Sequence, residues 1–221
     1  MMELIAAIPW PEIGEASLDT LVMLAVSMLF TLILGLPLGI LLFLTGKRQL
    51  MEQTAVYNVM SFVINILRSV PFIILLIVMM PVTEIIIGTS LGVQGSIPPL
   101  VVGAAPFFAR LVETALREVD RGIIEATQAM GASKRQIVFG ALIPEALPGI
   151  IAAATVTVIA LVSYTALSGV IGGGGLGDLA VRYGYHRHQN DVLVVTVVLL
   201  LLLVQFLQML GDKLVLRFSR R

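Results

Sequence analysis

The residues of this chain that could do chemistry are few and lie among long apolar stretches. Ser168 precedes Gly169, and His186 and His188 follow within twenty residues. A serine activated by a histidine base would indicate an intramembrane hydrolase. The GxSG pattern of such a nucleophile is absent, and the histidines fall in a different segment from the serine. Two histidines without carboxylate or cysteine partners also do not predict a metal site.

A polar stripe occurs in the second apolar stretch. Asn58, Ser61, Asn65, Arg68 and Ser69 follow at three- or four-residue steps and therefore share one helix face. Such a face is unfavourable against lipid, because a charge near the middle of a bilayer costs at least about 2.5–3.5 kcal/mol. We expect Asn65, Arg68 and Ser69 to line a translocation pathway. The alternative is that Arg68 bonds freed backbone carbonyls or snorkels to the interface.

Other polar residues fall in the third and fourth apolar stretches. Arg110 and Glu113 stand three residues apart, which predicts an ion pair within one helix, with pathway lining as the alternative. Hydroxyls in the fourth stretch can bond back to the helix or across to a neighbour. Those placed farther along it are pathway candidates, namely Ser163, Tyr164 and Ser168.

Composition defines the class of protein. Of 221 residues, 58% are hydrophobic and only 13% are charged, too few to cover a soluble globule of this size. The chain is therefore predicted to be an integral membrane protein. Fourteen basic residues balance fourteen acidic ones, so net charge gives no footprint for nucleic acid. The absence of cysteine excludes disulfides and thiolate chemistry.

Five windows are long enough to cross a bilayer core of about 30 Å. Basic residues outside them divide nine to two between the two sides, which predicts an external N-terminus and a cytoplasmic C-terminus. The predicted organisation is an external segment over 1–17, a transmembrane domain over 18–212, and a basic cytoplasmic tail over 213–221. The spans are expected near 18–44, 57–82, 97–118, 145–170 and 191–211, with a cytoplasmic loop over 119–143 and external loops near 83–96 and 172–190.

The cytoplasmic loop contains a polar, helix-forming island. Asp120 is expected to cap a short helix that Gly131 ends, and Ser133 with Gln136 forms the capping box of a second helix. Ile123, Thr127 and Met130 recur on one face of the first helix and make a narrow apolar stripe. A stripe of this size suits a groove on a soluble partner. The alternative is a connector that rests on the lipid headgroups.

The island carries a family pattern. In permease subunits of type I ABC importers the loop reads EAAxxxG, nine residues, then IxLP. Glu125, Ala126 and Gly131 match that pattern here, and Pro144 falls at the expected spacing. The departures are conservative replacements by small or apolar residues, at Thr127, Ala141 and Ile143.

The resemblance to type I importer permeases, and among them to methionine permeases, covers nearly the whole chain. It includes Arg68–Leu76, Val102–Phe107, Ile143–Gly149 and Gly173–Gly177. It implies an all-α polytopic membrane protein with five transmembrane helices in a homodimer, placed in the bacterial cytoplasmic (inner) membrane. It also implies two copies of a cytoplasmic ABC ATPase, which would bind ATP and Mg, and an external substrate-binding lipoprotein.

The same resemblance assigns roles to residues. The island would be the coupling helix that docks on the ATPase, and the glycine-rich segment would be an outer gate, with a flexible turn as the alternative. The chain itself would then have no cofactor and no catalytic role, and methionine or another small solute would be the cargo. The remaining alternative hypothesis is a membrane scaffold that transports nothing. The coupling residues would be Glu125, Ala126, Thr127, Met130 and Gly131, and the gate residues Gly173, Gly174, Gly175 and Gly177.

Overall fold

A computed structural model describes residues 9–219, and every regular element in that range is helical. The all-α class predicted above is confirmed. A 3₁₀ turn at Gly169–Ile171 and π-helical turns at Val138–Leu142 and Ala180–Tyr185 connect some of the helices. The α-helices are α1 (Trp10–Thr45), α2 (Thr54–Ser69), α3 (Phe72–Ile87), α4 (Gly92–Arg117), α5 (Arg121–Ala129), α6 (Lys134–Ile137), α7 (Ile143–Ser168), α8 (Gly175–Leu179) and α9 (Asn190–Phe218).

Four helical segments within the described range are long and apolar enough to cross a membrane by themselves. They are α1, α4, the continuous segment Lys134–Ile171 that contains α7, and α9. A fifth span results if the consecutive helices α2 and α3 are counted as one bent span. On that count the number of spans agrees with the sequence.

The second span differs from the prediction, which placed one helix over 57–82. The structure breaks it after Ser69, and α3 starts at Phe72 behind an extended Pro71 with φ −56° and ψ 133°. From the sequence, Pro71 predicts only a bend in this helix. Proline lacks the N–H that would continue the helical ladder and disfavours α geometry in the residue before it, so a break is the stronger form of the same effect.

Several predicted helices were too short, since the structure extends them into segments predicted to be loops or termini. Helix α1 begins at Trp10, so the predicted external segment over 1–17 is helical from that residue onward, and residues 1–8 lie outside the described range. The external loop predicted near 83–96 reduces to residues 88–91. The predicted spans ended where polar residues begin, because lipid excludes such residues. A helix can extend past the bilayer core, so its polar ends lie outside the lipid.

The chain end also differs from the prediction of a separate tail over 213–221. Helix α9 continues to Phe218, so Lys213 and Arg217 belong to it, while Arg220 and Arg221 lie outside the described residues. Most large apolar side chains on α9 are exposed, including Leu201 at 64%. From the sequence, the run of valine and leucine over 192–204 predicts a helix that faces lipid or packs in a bundle, and this exposure favours the first of the two.

The described chain forms two compact units. The first contains residues 9–30, 70–104 and 158–207, and its main apolar cluster includes Met23, Leu76, Leu100 and Leu161. The second contains residues 31–69, 105–157 and 208–219. Its main cluster gathers the ends of α1 and α4, the π turn and α7, including Phe43, Phe108, Leu116, Leu142 and Ile150.

Two glycines of the second unit allow α1 and α4 to pack closely. A Cβ at Gly35 would lie 2.8 Å from Phe108 Cδ1, and one at Gly39 would lie 2.6 Å from the carbonyl oxygen of Ala109. Both distances are too short for carbon, so only glycine fits. Gly35 and Gly39 form a GxxxG motif, which by itself predicts close helix packing, and the structure confirms that prediction. The same apposition places α4 where its polar side chains meet α2.

Candidate functional site

Helix α5, in the loop predicted to be cytoplasmic, has well-defined ends. Asp120 Oδ1 accepts a hydrogen bond from the Gly122 N–H at 2.8 Å and caps the helix. At the other end Gly131 adopts φ +78°, and its N–H donates to the carbonyl of Gln128 at 2.9 Å. The predicted cap and the predicted left-handed turn are both confirmed.

The helix that follows also starts as the sequence indicated. The Ser133 N–H donates to Gln136 Oε1 at 2.8 Å, and the Gln136 N–H donates to Ser133 Oγ at 3.4 Å. This capping box opens α6, which runs through the π-helical turn into α7 without a loop. The island is therefore anchored at one end to α4 and at the other directly to a membrane-spanning helix.

The exposed face of α5 is not the predicted stripe. Ile123 and Thr127 are half-buried, and the Thr127 hydroxyl donates to the carbonyl of Ile123 at 2.9 Å. Ile124, which the sequence analysis did not single out, packs against the apolar cluster of the second unit. That contact fixes the rotation of the helix. Its exposed residues are Arg121, Gly122, Glu125, Ala126, Gln128 and Ala129, followed by Met130 and Gly131.

Two large apolar side chains of the island are exposed. Met130 is 77% exposed, and Phe139, in the π-helical turn, is 64% exposed. Phe139 borders a shallow depression together with Arg135, Gln136 and Gly140. The sequence analysis missed Phe139, although an aromatic residue within a polar segment was a usable signal. Exposed Met and aromatic side chains in a polar surround are typical of a protein-binding surface.

Glu125 lies beside this surface and is exposed. It lines a cavity of about 230 Å³ with Arg48, Arg121 and Gln128. The Glu125 carboxylate makes no hydrogen bond or ion pair with any residue in the described range 9–219. It therefore remains free to meet a basic group of a partner. The coupling roles of Glu125, Ala126, Thr127, Met130 and Gly131 stay a prediction.

The polar stripe of α2 contacts α4. Arg110 Nη2 donates to Ser61 Oγ at 2.7 Å and to Asn65 Oδ1 at 2.9 Å. Part of the stripe is therefore occupied in packing two helices of the second unit. The pathway assignment of Asn65 stays a prediction, but its amide oxygen already has a protein partner.

Arg110 belongs to a triad of charged residues on α4. Glu113 is 2% exposed, and its Oε2 lies 2.6 Å from Arg110 Nη1 while its Oε1 lies 2.7 Å from Arg117 Nη2. The predicted Arg110–Glu113 ion pair is confirmed. Arg117 was missed, although its i+4 spacing from Glu113 was a readable signal. Arg117 Nη2 also reaches the Tyr57 hydroxyl on α2 at 3.4 Å.

Arg68 and Ser69 close α2 just before the break. The Arg68 guanidinium carbon lies 5.8 Å from the centre of the Phe107 ring, and no acidic partner neutralises it in the part of the chain that the structure describes. The Ser69 hydroxyl donates to the carbonyl of Asn65 at 2.7 Å. Arg68 thus keeps hydrogen-bond donors available beside its aromatic contact. The pathway roles of Arg68 and Ser69 stay predictions.

The pathway candidates on α7 occupy different environments. Ser163 is exposed, whereas Tyr164 is half-buried and stacks on Phe72 with ring centres 4.1 Å apart. Ser168 is fully buried, and its hydroxyl donates to the carbonyl of Thr165 at 2.8 Å. A buried hydroxyl cannot touch a solute in this conformation. The pathway roles of all three residues stay predictions.

The glycine-rich segment forms a tightly packed turn within the first unit. Gly172, Gly174 and Gly175 have φ between +77° and +81°. A Cβ at Gly173 would lie 2.5 Å from Ser96 Oγ, and one at Gly177 would collide with the backbone of Ala166. Glycine is therefore required in this turn both by dihedral angle and by space. The outer-gate role of Gly173, Gly174, Gly175 and Gly177 stays a prediction.

The two histidines lie in an exposed tract after the second π-helical turn. His186 contacts the ring of Tyr185, with ring centres 5.3 Å apart. No group of three His, Cys, Asp or Glu side chains placed to hold a metal occurs between residues 9 and 219. That no metal binds here stays a prediction.

A family model for the inner membrane component of binding-protein-dependent transport systems matches residues 35–220. This range contains the island, the glycine turn and all helices after α1. The chain belongs to this family. Membership identifies it as a membrane component of a transport system and not as the hydrolase considered from Ser168.

Two relatives and one solved structure are similar to this family member over most of its length. It is 48% identical over 206 residues to the probable D-methionine transport system permease protein MetI of Vibrio cholerae, covering 93% of this chain and 92% of that one. It is 50% identical over 172 residues to the methionine import system permease protein MetP of Bacillus subtilis, covering 78% of each chain. It also matches an inward-facing structure of the MetNI methionine ABC transporter with a TM-score of 0.93 at 47% identity, covering 95% and 97% of the two chains.

These similarities extend over the whole fold of the family member. The all-helical fold is that of a type I importer permease. It is a multi-pass membrane protein.

Proposed function

We propose that this chain is the permease subunit of an ATP-driven importer that moves methionine across the bacterial cytoplasmic (inner) membrane by alternating access. A binding protein delivers the substrate outside, and a separate ATPase supplies the force inside. The observation that carries the proposal is the 48% identity to a probable D-methionine permease over 93% of this chain. The matching MetNI transporter structure, also named for methionine, gives independent support.

The exposed surface formed by Glu125, Met130 and Phe139, called the coupling surface below, supports an ATPase partner. Helix α5 is fixed at both ends and presents Glu125, Met130 and, from the adjoining turn, Phe139 without protein partners to cover them. Polar island residues with exposed apolar anchors fit a cleft of a soluble protein better than a layer of headgroups. We propose that two copies of an ABC ATPase, each with ATP and Mg, bind this surface in a permease homodimer.

The cycle follows from differential affinity. ATP binding favours a state in which the coupling helices approach each other and the pathway opens outward, and hydrolysis restores the inward-open state. Each partner shifts the equilibrium only by its preference for one of the two states. The external lipoprotein therefore has to prefer the outward-open state when it carries substrate.

The test is ATP-driven uptake of labelled methionine into vesicles that contain this chain, the ATPase and the binding protein encoded beside it. We expect uptake that requires ATP and all three components. Unlabelled methionine should compete, and unrelated amino acids should not. Uptake that is outcompeted by another amino acid but not by methionine would favour the second candidate, a permease for that amino acid.

A further inference from the structure

Helix α2 is held against α4 by polar contacts in addition to a small apolar cluster. In that cluster Ile64 of α2 lies with Ala109 of α4, and the half-buried Tyr57 and Met60 pack beside it. Arg110 of α4 also reaches two α2 side chains, Ser61 and Asn65, at 2.7 and 2.9 Å. Directional bonds of this kind define the rotation of one helix on another more closely than apolar contacts do.

Glu113 holds both arginines that make these contacts. Its two carboxylate oxygens are divided between Arg110 and Arg117, and Arg117 extends to the Tyr57 hydroxyl. Without the carboxylate, the two guanidinium groups, whose residues stand about two helical turns apart, would lack their shared counter-charge. A buried acid that bonds both of them therefore fixes their side-chain directions toward α2.

The C-terminal end of α4 is also coupled to α5. Only residues 118–120 separate the two helices. Leu116 and Val119 lie in the apolar cluster against which Ile124 of α5 packs. A displacement of α5 therefore has to move the end of α4 that carries Arg117.

We infer that Glu113 is a positioning residue for energy coupling. It makes α2 follow α4, so that motion received at α5 reaches the helix that ends in Arg68 and Ser69. This inference rests on the proposed function, because it assumes that an ATPase moves α5. It assigns to the triad of Arg110, Glu113 and Arg117 a transmitting role in addition to packing.

The experiment uses the complete complex in proteoliposomes and exploits a chain without cysteine. Fluorophores on Asn58→Cys in α2 and, separately, on Glu118→Cys at the end of α4 report whether each helix responds to ATP. Both native side chains are exposed. Methionine imported per ATP hydrolysed is measured for Glu113→Gln. The matched control is Glu118→Gln, an exposed acid directly after the same helix, which is compared with the parent in import per ATP and in the signal of the label at 58.

In the parent complex we expect an ATP-dependent signal at both labels. Glu113→Gln should keep the signal at 118, lose it at 58, and lower methionine imported per ATP by about tenfold, within the usual range of coupling energies. Glu118→Gln should match the parent. A retained signal at 58, or uptake and hydrolysis that fall in the same proportion, would overturn the inference.

Two further comparisons keep the result interpretable. If Glu113→Gln does not assemble, a triple variant with Ser61→Ala, Asn65→Ala and Tyr57→Phe is used instead. It removes the side-chain acceptors of Arg110 and Arg117 on α2 and leaves both ion pairs of α4 intact, and the same loss of signal at position 58 is expected. A parent complex that moves both labels with ATP but imports no methionine contradicts the proposed function. The transmitting role would still be tested in that case, because the signals of the fluorophores at 58 and 118 do not depend on which solute is imported.

Discussion

At the scale of single residues, the coupling surface depends on a few side chains whose positions the backbone fixes. Glu125 is charged, exposed and unpaired within the described chain, and Ile124 next to it faces inward. One helical step thus separates the residue that anchors α5 from the residue offered to a partner. A mutation of Ile124 should therefore change how α5 packs, whereas a mutation of Glu125 should change the contact with a partner.

The first prediction concerns the charge of Glu125. Glu125→Lys should leave the chain inserted and folded, because the side chain makes no internal bond. It should lower methionine imported per ATP by about tenfold through loss of a complementary charge at the ATPase interface. The matched control is Glu118→Lys, the same charge change at an exposed site outside α5. Parental import per ATP in Glu125→Lys would count against the coupling role.

The second prediction concerns Gly131. Gly131→Pro removes the N–H that bonds Gln128 and cannot adopt φ +78°, so the turn between the two island helices should be lost. We expect membrane insertion to persist while uptake falls below a tenth of the parental rate. Gly131→Asn is the control, since asparagine tolerates this region and a Cβ there meets nothing within 4 Å. Equal uptake in the proline and asparagine variants would contradict the argument.

At the scale of elements, close contacts determine which helix segments can share space. Helix α1 meets α4 through Gly35 and Gly39, and the glycine turn lies against the end of α7 through Gly177 and Ala166. Each contact leaves no room for a methyl group. The helices therefore approach each other this closely because glycine stands at the points of contact.

The third prediction tests this at Gly177. Gly177→Ala would drive its Cβ into the Ala166 backbone, and overpacking of this kind costs about 1–3 kcal/mol. A lower midpoint of thermal unfolding in detergent is expected. Gly14→Ala on α1 is the control, since its Cβ meets nothing within 4 Å and alanine favours a helix by about 1 kcal/mol. An unfolding midpoint that Gly177→Ala leaves unchanged would contradict the prediction, because the turn would then have shifted to make room for the methyl group.

At the scale of the whole molecule, the distribution of charge sets the orientation in the membrane. The island and the end of α9 carry most of the basic residues outside the spans, and the tract around Arg182 and Arg187 carries few. The positive-inside rule therefore predicts that the island lies on the cytoplasmic side, which is the side that the proposed ATPase requires.

The fourth prediction is a labelling pattern. In this cysteine-free chain, Lys134→Cys should react with an impermeant thiol reagent only when the cytoplasmic face is accessible. Arg187→Cys should react only from the opposite face. Both native side chains are exposed, so burial does not explain a negative result. Reaction of the two sites from the same side would contradict the orientation and with it the coupling proposal.

The sequence by itself determined the membrane class, the number of spans and the ends of the island helices. These follow from local properties: apolar length, the capping chemistry of Asp120 and Ser133, and the dihedral freedom of Gly131. The GxxxG packing was also readable because a missing side chain has one main structural use in a membrane helix.

Only the tertiary structure decided the rotation of α5, the break at Pro71 and the partners of the α2 stripe. Ile124 packs on the apolar cluster of the second unit, a contact with distant residues that no periodicity within nine residues reveals. Asn65 bonds Arg110, forty-five residues away. Such contacts depend on which helices pack together, and a polar stripe looks the same in sequence whether it faces a pathway or an arginine on the next helix.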